Sequence, residues 1–324
     1  MDGMPYDGRD TAAVPFLAPA IVRRALRVAA VGFQTLRHAR GAWQLSHVPP
    51  GSLFRQFIDS RPEIRGMVLT PLISARWDAR KRMAVLRQHF AIVDRQGGVI
   101  AVEPDSHEEL VNLGGIRPGF HATLDSPRWL LRDGFLTISL WDAARRIHML
   151  SFCFGEDEGE PAAFVGGLQR GTQADGTALY RELTKGAHGM RPRDLLIELL
   201  RDICHAMGVR RILAVSDAVR HQRSAYSRFW IGNDPVKTSY DDAWIDRGGT
   251  LRADGLFDLP LAAPRRAREA IAANKRTMYM ARYVMLDNIR TAVGETLAAR
   301  KERITERNAG VPRRREATGI DRSA

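Results

Sequence analysis

Apolar residues in the first third of the chain recur every three or four positions. This spacing is typical of helices that pack by one face. It predicts helices over residues 21–40, 52–65 and 74–94. The first 20 residues are rich in Gly, Pro and Ala, and we expect them to be poorly ordered. The sequence therefore predicts a disordered N-terminus, residues 1–20, followed by a helical N-terminal part, residues 21–110.

The period of the hydrophobic pattern changes near Gly119. The next segments are short, β-branched or aromatic, and separated by turn residues: FHATL, GFLTISLWD, IHMLSFCFGE and AAFVGGLQRG. Such segments predict an antiparallel meander of about three to five strands. Asp133-Gly134 is the kind of dipeptide that closes a tight hairpin, so we expect a hairpin turn there.

A long amphipathic helix is predicted over residues 193–207. Pro192 suits its first turn, Asp194 favours the positive end of the helix dipole, and Gly208 provides a C-terminal stop. The segment RRILAVSDA follows as a strand, and a strand–helix–strand unit joins parallel strands. We therefore predict a mixed α+β fold.

The remaining boundaries complete this organisation. A mixed α/β core is expected over residues 111–262, with GLFDLPL as its last strand. Basic helices over residues 263–308 are expected to pack on the core, and residues 309–324 are expected to form a disordered tail.

Composition limits the class of protein. The chain has 324 residues, is 44% hydrophobic and carries 49 Lys+Arg against 37 Asp+Glu, with only five lysines. This is a globular composition, and no apolar run approaches the roughly 18 residues of a membrane-spanning helix. Two cysteines, Cys153 and Cys204, cannot form a disulfide framework. We expect a reducing, cytoplasmic setting.

The basic excess is uneven, because residues 265–324 hold 15 basic and seven acidic residues. Such a tail could contact anionic lipid, an acidic partner or nucleic acid, although no nucleic-acid-binding motif is present. The alternative is an ordinary solvated surface rich in arginine. The predicted helix over residues 21–40 carries an arginine-rich flank as well. It could lie on an anionic membrane surface or pack its apolar face on its own domain.

One segment has the chemistry of an anion site. In LTKGAHGMRPR, Gly186 and Gly189 allow close backbone approach, and the following helix start offers free N–H groups. Arg191 and Arg193 add charge that matches phosphate oxygens. Alternatively, these glycines serve only the geometry of a turn. The spacing of a Walker A loop is absent.

Three further residues could take part in proton transfer. His188 adjoins the glycine segment and could be a general base. Asp217 follows the strand RILAV, where α/β sheets place functional groups, but an aspartate that forms a turn is equally consistent. Tyr226 belongs to an aromatic cluster that could line a cavity or belong to the core. The scattered histidines contain no metal-binding spacing, so no metal site is predicted.

The strand–loop–helix–strand unit resembles the core of GNAT-type acyltransferases. That resemblance implies an acyl-coenzyme A co-substrate whose pyrophosphate lies on the loop, here Gly186, Gly189, Met190, Arg191 and Arg193. It also implies that Tyr226 protonates the leaving thiolate. From the residues themselves, we expect His188 or Asp217 to be the base. HGMRPR only approximates the Gln/Arg-x-x-Gly-x-Gly/Ala loop of that family.

Six segments resemble the VirK/YbjX family of bacterial proteins across residues 50–292: IHMLSFCFGE, FVGGLQRG, LTKGAHGMRPRDLLIELLRDICHAMG, RILAVSD, YSRFW and KRTMYMARYVMLDNI. The resemblance implies a link with virulence, the cell envelope and tolerance of cationic antimicrobial peptides. Our first hypothesis is a cytoplasmic acyltransferase that modifies an amine of an envelope component, a peptide or a small molecule. The alternative is a noncatalytic accessory factor bound peripherally at the inner membrane face.

Overall fold

The structure, a computed structural model, describes residues 47–68, 70–171, 176–224, 226–227, 239–263 and 265–309, with the isolated positions 29, 33, 43 and 45. Most of the predicted helix over residues 21–40 lies outside the described residues, as do residues 1–20 and 310–324. The predictions of an amphipathic helix and of disordered ends therefore stay predictions.

A mixed sheet forms the centre of the described chain. Its strands are β1 His107–Asn112, β2 Phe120–Asp125, β3 Leu136–Asp142, β4 Arg145–Asp157, β5 Glu160–Arg170, β6 Arg211–Val215, β7 Thr250–Leu251 and β8 Leu256–Leu259. Their order is β1-β2-β3-β4-β5-β6-β8-β7. Strands β5 and β6 are parallel and the other neighbours are antiparallel. The predicted α+β class, the meander and the parallel strand–helix–strand connection are confirmed.

Helices cover this sheet. They are α1 Leu53–Ser60, α2 Ala79–Arg95, α3 Gly176–Gly186, α4 Pro192–Ala206, α5 Asp241–Asp246 and α6 Arg276–Ala309. Short 3-10 helices lie at Pro62–Val68, Arg128–Leu130, His221–Arg223, Arg268–Ala270 and Ala273–Lys275. Local chemistry explains the start of α2, because the Asp78 carboxylate accepts the Lys81 N–H at 2.8 Å. The predicted basic C-terminal helices form one long helix, α6, which packs on α4 and β1.

Three local predictions are wrong. The segment HEELVN forms β1 although it falls within the part predicted to be helical, because Leu110 and Val111 join the sheet core. Asp133-Gly134 closes no hairpin but follows a 3-10 helix and precedes β3. The two-residue turn lies instead at Glu158-Gly159, where φ angles of 52° and 83° connect β4 to β5. The third is the assignment of residues 183–186 to a loop, since they form the end of α3.

Strand β5 extends well past the end of its parallel neighbour β6. The two strands pair from Ala162 to Val165 on β5 and from Arg211 to Ala214 on β6, while β5 continues beside β4 to Arg170. A β-bulge between β4 and β5 follows the paired part, since the register places Val165 and Gly167 opposite Phe152 and Ser151 and leaves Gly166 as the extra residue. Because β6 ends at Val215, the last residues of β5 have no β6 neighbour.

Candidate functional site

A cavity of about 1260 Å³ lies beside the end of β5 that extends past β6. Its walls come from the ends of β4 and β5, one face of α3, the start of α4, the segment around α5, and the start of α6. Five of its lining residues are cationic: Arg170, Arg181, Lys185, Arg191 and Arg193. The acidic residue among them is Asp242. The cavity is therefore suited to an anionic ligand.

Helix α3 presents two of these cations. Its apolar residues Leu179 and Leu183, with Ala187 just beyond its end, recur every four positions and are buried. This packing turns Arg181 and Lys185, which are also four positions apart, toward the cavity. The four-residue spacing was visible in the sequence, but the neighbouring glycines favoured the prediction of a loop.

His188 ends helix α3 in an uncommon backbone conformation. Its φ is 51°, and Gly189 follows with a φ of 79°. The Gly189 N–H donates to the Thr184 carbonyl at 2.7 Å and the His188 N–H to the Lys185 carbonyl at 3.1 Å, the bonding pattern of a Schellman motif. Arg282 of α6 fixes the turn by donating twice to the His188 carbonyl, at 3.0 and 2.7 Å. The His188 side chain lines the cavity.

The predicted phosphate-binding arginines already have carboxylate partners. Asp246 lies 3.1 Å from Arg191 Nη2 and 2.8 Å from Arg193 Nη2. Asp194, in the first turn of α4, also lies within 4 Å of both arginines. It forms a further ion pair with Arg247 at 2.9 Å. The positive end of the α4 dipole thus faces a carboxylate of its own chain. A ligand phosphate at this point would compete with Asp246.

The opposite wall of the cavity carries three exposed cations, Arg170, Arg181 and Lys185. No carboxylate of the described residues forms an ion pair with any of them. Arg170 lies over the Tyr180 ring at 4.2 Å from its centroid. The capacity to bind a further anion therefore lies mainly on β5 and α3 rather than at the start of α4.

His148 forms a buried part of the cavity wall. Its Nδ1 is 2.7 Å from the Tyr180 hydroxyl, which donates to the Ile147 carbonyl at 3.1 Å. Its Nε2 has no hydrogen-bond partner among the described residues, and the side chain is only 3% exposed. Burial, followed by the charges of Arg170 and Arg193, lowers the pKa of His148 to about 3. The imidazole is therefore neutral at physiological pH.

Acid should destabilise the fold through His148 and His89. Burial also lowers the pKa of His89 to about 3, whereas the unfolded value is about 6.5. Because the unfolded chain binds these protons more tightly, stability is fully present above about pH 6.5 and falls as the pH drops toward 3. Between about pH 7.5 and 5.5 the free energy of unfolding should fall by about 1.4 kcal/mol for each of the two histidines.

Urea unfolding at the two pH values measures this effect. The variant His148→Gln has no titratable group at this position and should lose about 1.4 kcal/mol less than the parent protein over the same interval. An identical pH dependence in the two proteins would contradict the assignment of a buried neutral His148.

The other predicted site residues lie elsewhere or serve packing. A Cβ on Gly186 would approach the Ile116 carbonyl oxygen to 2.3 Å, so this glycine permits a close backbone contact. Met190 is buried in the core. The Asp217 carboxylate accepts the Tyr240 N–H at 3.0 Å and an Arg220 hydrogen bond at 2.8 Å, so it joins two segments that are distant in sequence. Neither Asp217 nor Tyr226 lines the cavity.

One wall of the cavity was predictable from the sequence and the other was not. The predicted residues His188, Gly189, Arg191 and Arg193 come together there. The positions of Arg170, Arg181 and Tyr180 were not predictable, because their proximity depends on the register of β4 with β5 and on the orientation of α3. His148 pairs with Arg170 across these strands, a relation that the linear sequence does not show.

Searches of the described residues add three findings. No group of three or more His, Cys, Asp or Glu residues there is arranged to hold a metal ion. Within the same part of the chain, no helix is both long and apolar enough to cross a membrane. Cys153 and Cys204 are buried as free thiols, and burial raises the pKa of each.

The fold and cavity define a mixed α+β protein with a basic cavity. The family model described as "Protein of unknown function (DUF535)" matches residues 35–295, and the chain belongs to this family. It is 25% identical over 257 residues to "Uncharacterized protein YbjX" of Escherichia coli, covering 76% of this chain and 74% of that protein. The resemblance to the VirK/YbjX family is thereby confirmed.

Two further relatives extend this comparison. An "Uncharacterized protein" of Haemophilus influenzae is 24% identical over 257 residues, which are 75% of this chain and 83% of that protein. "Membrane protein LapB" of Mannheimia haemolytica is 23% identical over 159 residues, which are 49% of this chain and 68% of that protein. No solved structure matches the chain at a significant level.

Proposed function

We propose that the chain binds an acyl-coenzyme A in the basic cavity and transfers the acyl group to an amine. The observation that carries this proposal is the position of the cavity. It lies beside the end of β5 that extends past β6, and its wall holds cations that have no carboxylate partner among the described residues.

The charges in the cavity wall favour an acyl donor that carries phosphate groups. Arg170, Arg181 and Lys185 offer charge at one wall of the cavity, and guanidinium groups match phosphate oxygens in pairs. At the other wall, Arg191 and Arg193 both form ion pairs with Asp246. A phosphate bound there must displace the Asp246 carboxylate or bind to the arginines beside it. We therefore assign the main phosphate contacts to β5 and α3, and retain Arg191 and Arg193 as a second, weaker contribution.

The proposed reaction needs one base and one acid. The amine nitrogen attacks the thioester carbonyl, the C–S bond breaks, the amine loses a proton to the base, and the thiolate gains one from the acid. Of the predicted residues, His188 lines the cavity and is assigned the role of base. Asp217 is already bonded to Tyr240 and Arg220, which makes it the weaker candidate, and the acid role of Tyr226 stays a prediction.

The amine acceptor is proposed to belong to the cell envelope. The relative named "Membrane protein LapB" favours a function near the envelope, and the VirK/YbjX family membership points in the same direction. A cytoplasmic enzyme, or one held peripherally at the inner membrane, would reach acceptors during their synthesis.

Coenzyme A binding tests the proposal. Calorimetry should detect binding to the full chain, and the double variant Arg181→Ala/Lys185→Ala should weaken it by about tenfold or more, since hydrogen bonds to charged groups contribute about 1.5–3 kcal/mol each. Raising the salt concentration should weaken binding by the parent protein as well. Arg210→Ala is the matched control, because Arg210 is exposed and lies outside the cavity.

The opposite result would be equally clear. Absence of coenzyme A binding, together with absence of acyl transfer to amines, would reject the enzyme proposal. Flotation of the same protein with anionic vesicles would then support the accessory role at the inner membrane face.

A further inference from the structure

A second cavity, of about 570 Å³, adjoins the basic cavity. Its walls come from the end of β1, the loop that follows β1, the last residue of α3 and one face of α6. His188 and Ala281 line both cavities. The two cavities are therefore neighbours, and they share these two residues as a common border.

The lining of the second cavity differs chemically from that of the basic cavity. Among the described residues that line it, none is an aspartate, a glutamate, a lysine or an arginine, whereas five cations line the basic cavity. Its polar side chains are those of Asn112, Asn288 and His188. We name this second cavity the apolar groove, after its apolar lining residues Val111, Leu113, Ile116, Ala281, Val284, Met285, Ile289 and Ala292.

One face of α6 lines both cavities. The lining residues on this helix recur every three or four positions, which is the spacing of a single helical face. Thr277 and Met278 line the basic cavity, Ala281 lines both, and residues 284–292 of the same face line the apolar groove. From Ala281 to Ala292 the groove follows the helix for about 16 Å. The two cavities therefore lie one after the other along α6.

The apolar groove is preformed and partly open to solvent. Val284 is 60% exposed, although its neighbour on the same face, Ile289, is buried. The loop after β1 is held in place, because the Ile116 N–H donates to the Leu113 carbonyl at 2.8 Å. An apolar chain bound in the groove would remove apolar surface from water without first rearranging this wall, which favours binding.

The neighbouring charges indicate what kind of molecule fits. The groove begins at His188, where the basic cavity ends. A molecule that fills both cavities must be anionic at one end and apolar at the other, because charge is costly to bury in an apolar site. An acyl-coenzyme A with a long acyl chain has this arrangement. Its phosphates are at one end, its acyl chain is at the other, and the thioester lies between them.

We propose that the apolar groove holds the acyl chain of the donor, so that the substrate class is medium- and long-chain acyl thioesters rather than acetyl-coenzyme A. This inference rests on the proposed function, in which the basic cavity binds the phosphates and His188 is the base. Since His188 borders both cavities, the thioester that joins the two parts of the donor lies beside it. An acetyl group would leave the groove without an apolar ligand.

Calorimetry with the full chain measures how the affinity depends on the length of the acyl chain. The probes are coenzyme A, acetyl-coenzyme A and the butyryl, hexanoyl, octanoyl and decanoyl thioesters. The affinity should rise by about fourfold for every two methylene groups beyond butyryl, the increment expected when about half of their surface leaves water. Coenzyme A and acetyl-coenzyme A should bind within about twofold of each other, because neither carries a chain that can fill the groove.

A variant of the groove locates the chain. Val284→Asn introduces a polar amide there and should weaken decanoyl-coenzyme A binding by about fivefold relative to coenzyme A binding. Leu251→Asn is the matched control, because Leu251 is 62% exposed and lies in β7, outside both cavities. The control should keep the chain-length dependence of the parent protein. Thermal unfolding verifies that both variants are folded.

Each contrary outcome has a distinct meaning. If coenzyme A binds but the affinity does not rise with chain length, the inference is overturned and the proposed function is left with a short acyl donor. If the affinity rises equally in Val284→Asn and the parent protein, the chain binds elsewhere and the inference is again overturned. Equal losses in Val284→Asn and Leu251→Asn would also overturn it. Failure of the parent protein to bind any of the probes would reject the proposed function itself and, with it, this inference.

Discussion

Replacing Gly134 with alanine should reduce the free energy of unfolding by about 3 kcal/mol or more. A Cβ on this residue would lie 2.4 Å from both the backbone nitrogen and the carbonyl oxygen of Phe152. Those atoms belong to β4, a central strand held by β3 and β5 on its two sides. The next residue, Phe135, bonds the Phe152 carbonyl at 3.0 Å, so the two segments cannot separate without losing pairing.

Urea unfolding measures the effect, and Gly294→Ala is the matched control. Gly294 lies within α6, and a Cβ there would have no heavy atom within 4 Å outside its immediate helical surroundings. This substitution should stabilise the protein by about 0.5–1 kcal/mol, because glycine is a poor helix former. Similar stabilities of Gly134→Ala and the parent protein would contradict the close contact between Gly134 and β4.

Replacing Glu198 with alanine should destabilise the protein by about 3–5 kcal/mol, because it leaves a buried charge without its partner. Glu198 Oε1 lies 2.7 Å from Arg201 Nη1, and the two side chains are 6% and 1% exposed. Arg201 also donates to the Pro260 and Arg247 carbonyls at 2.9 and 3.1 Å. The pair therefore joins α4 to the segment that carries Asp246.

The comparison with an exposed ion pair makes this prediction specific. Glu63 and Arg128 approach to 2.7 Å, but their side chains are 40% and 55% exposed. Glu63→Ala should therefore change the free energy of unfolding by less than the error of a urea titration. Equal effects of the two substitutions would show that burial of the Glu198–Arg201 pair does not contribute as proposed.

Some parts of the fold were predictable because the information is local. The segment after Pro192 has a helical stripe of Leu195, Leu199 and Ile203 with a proline at its start, and it forms α4. Alternation and turn residues likewise predicted β2 to β5. Helix α3 was missed because Gly186 and Gly189 are typical of loops. In the structure, one allows contact with Ile116 and the other adopts the positive φ that follows a helix end.

The candidate site was predictable only in part, for the same physical reason. His188, Arg191 and Arg193 are close in sequence, so their proximity needs no tertiary structure. Whether an arginine is free to bind a ligand depends on its partners from distant segments. Asp246 engages Arg191 and Arg193 from more than 50 residues away, a relation that no local pattern indicates.

The sequence by itself determined the α+β class, the meander, the parallel strand–helix–strand connection and the presence of basic residues near the start of α4. These follow from hydrophobic period and turn chemistry, which act over a few neighbouring residues. Only the tertiary structure decided that β5 extends past the end of β6, that Arg170 and His148 face each other, and that His148 bonds Tyr180 in the cavity wall. Strand register and long-range pairing set these relations, because they determine which distant side chains share a buried space.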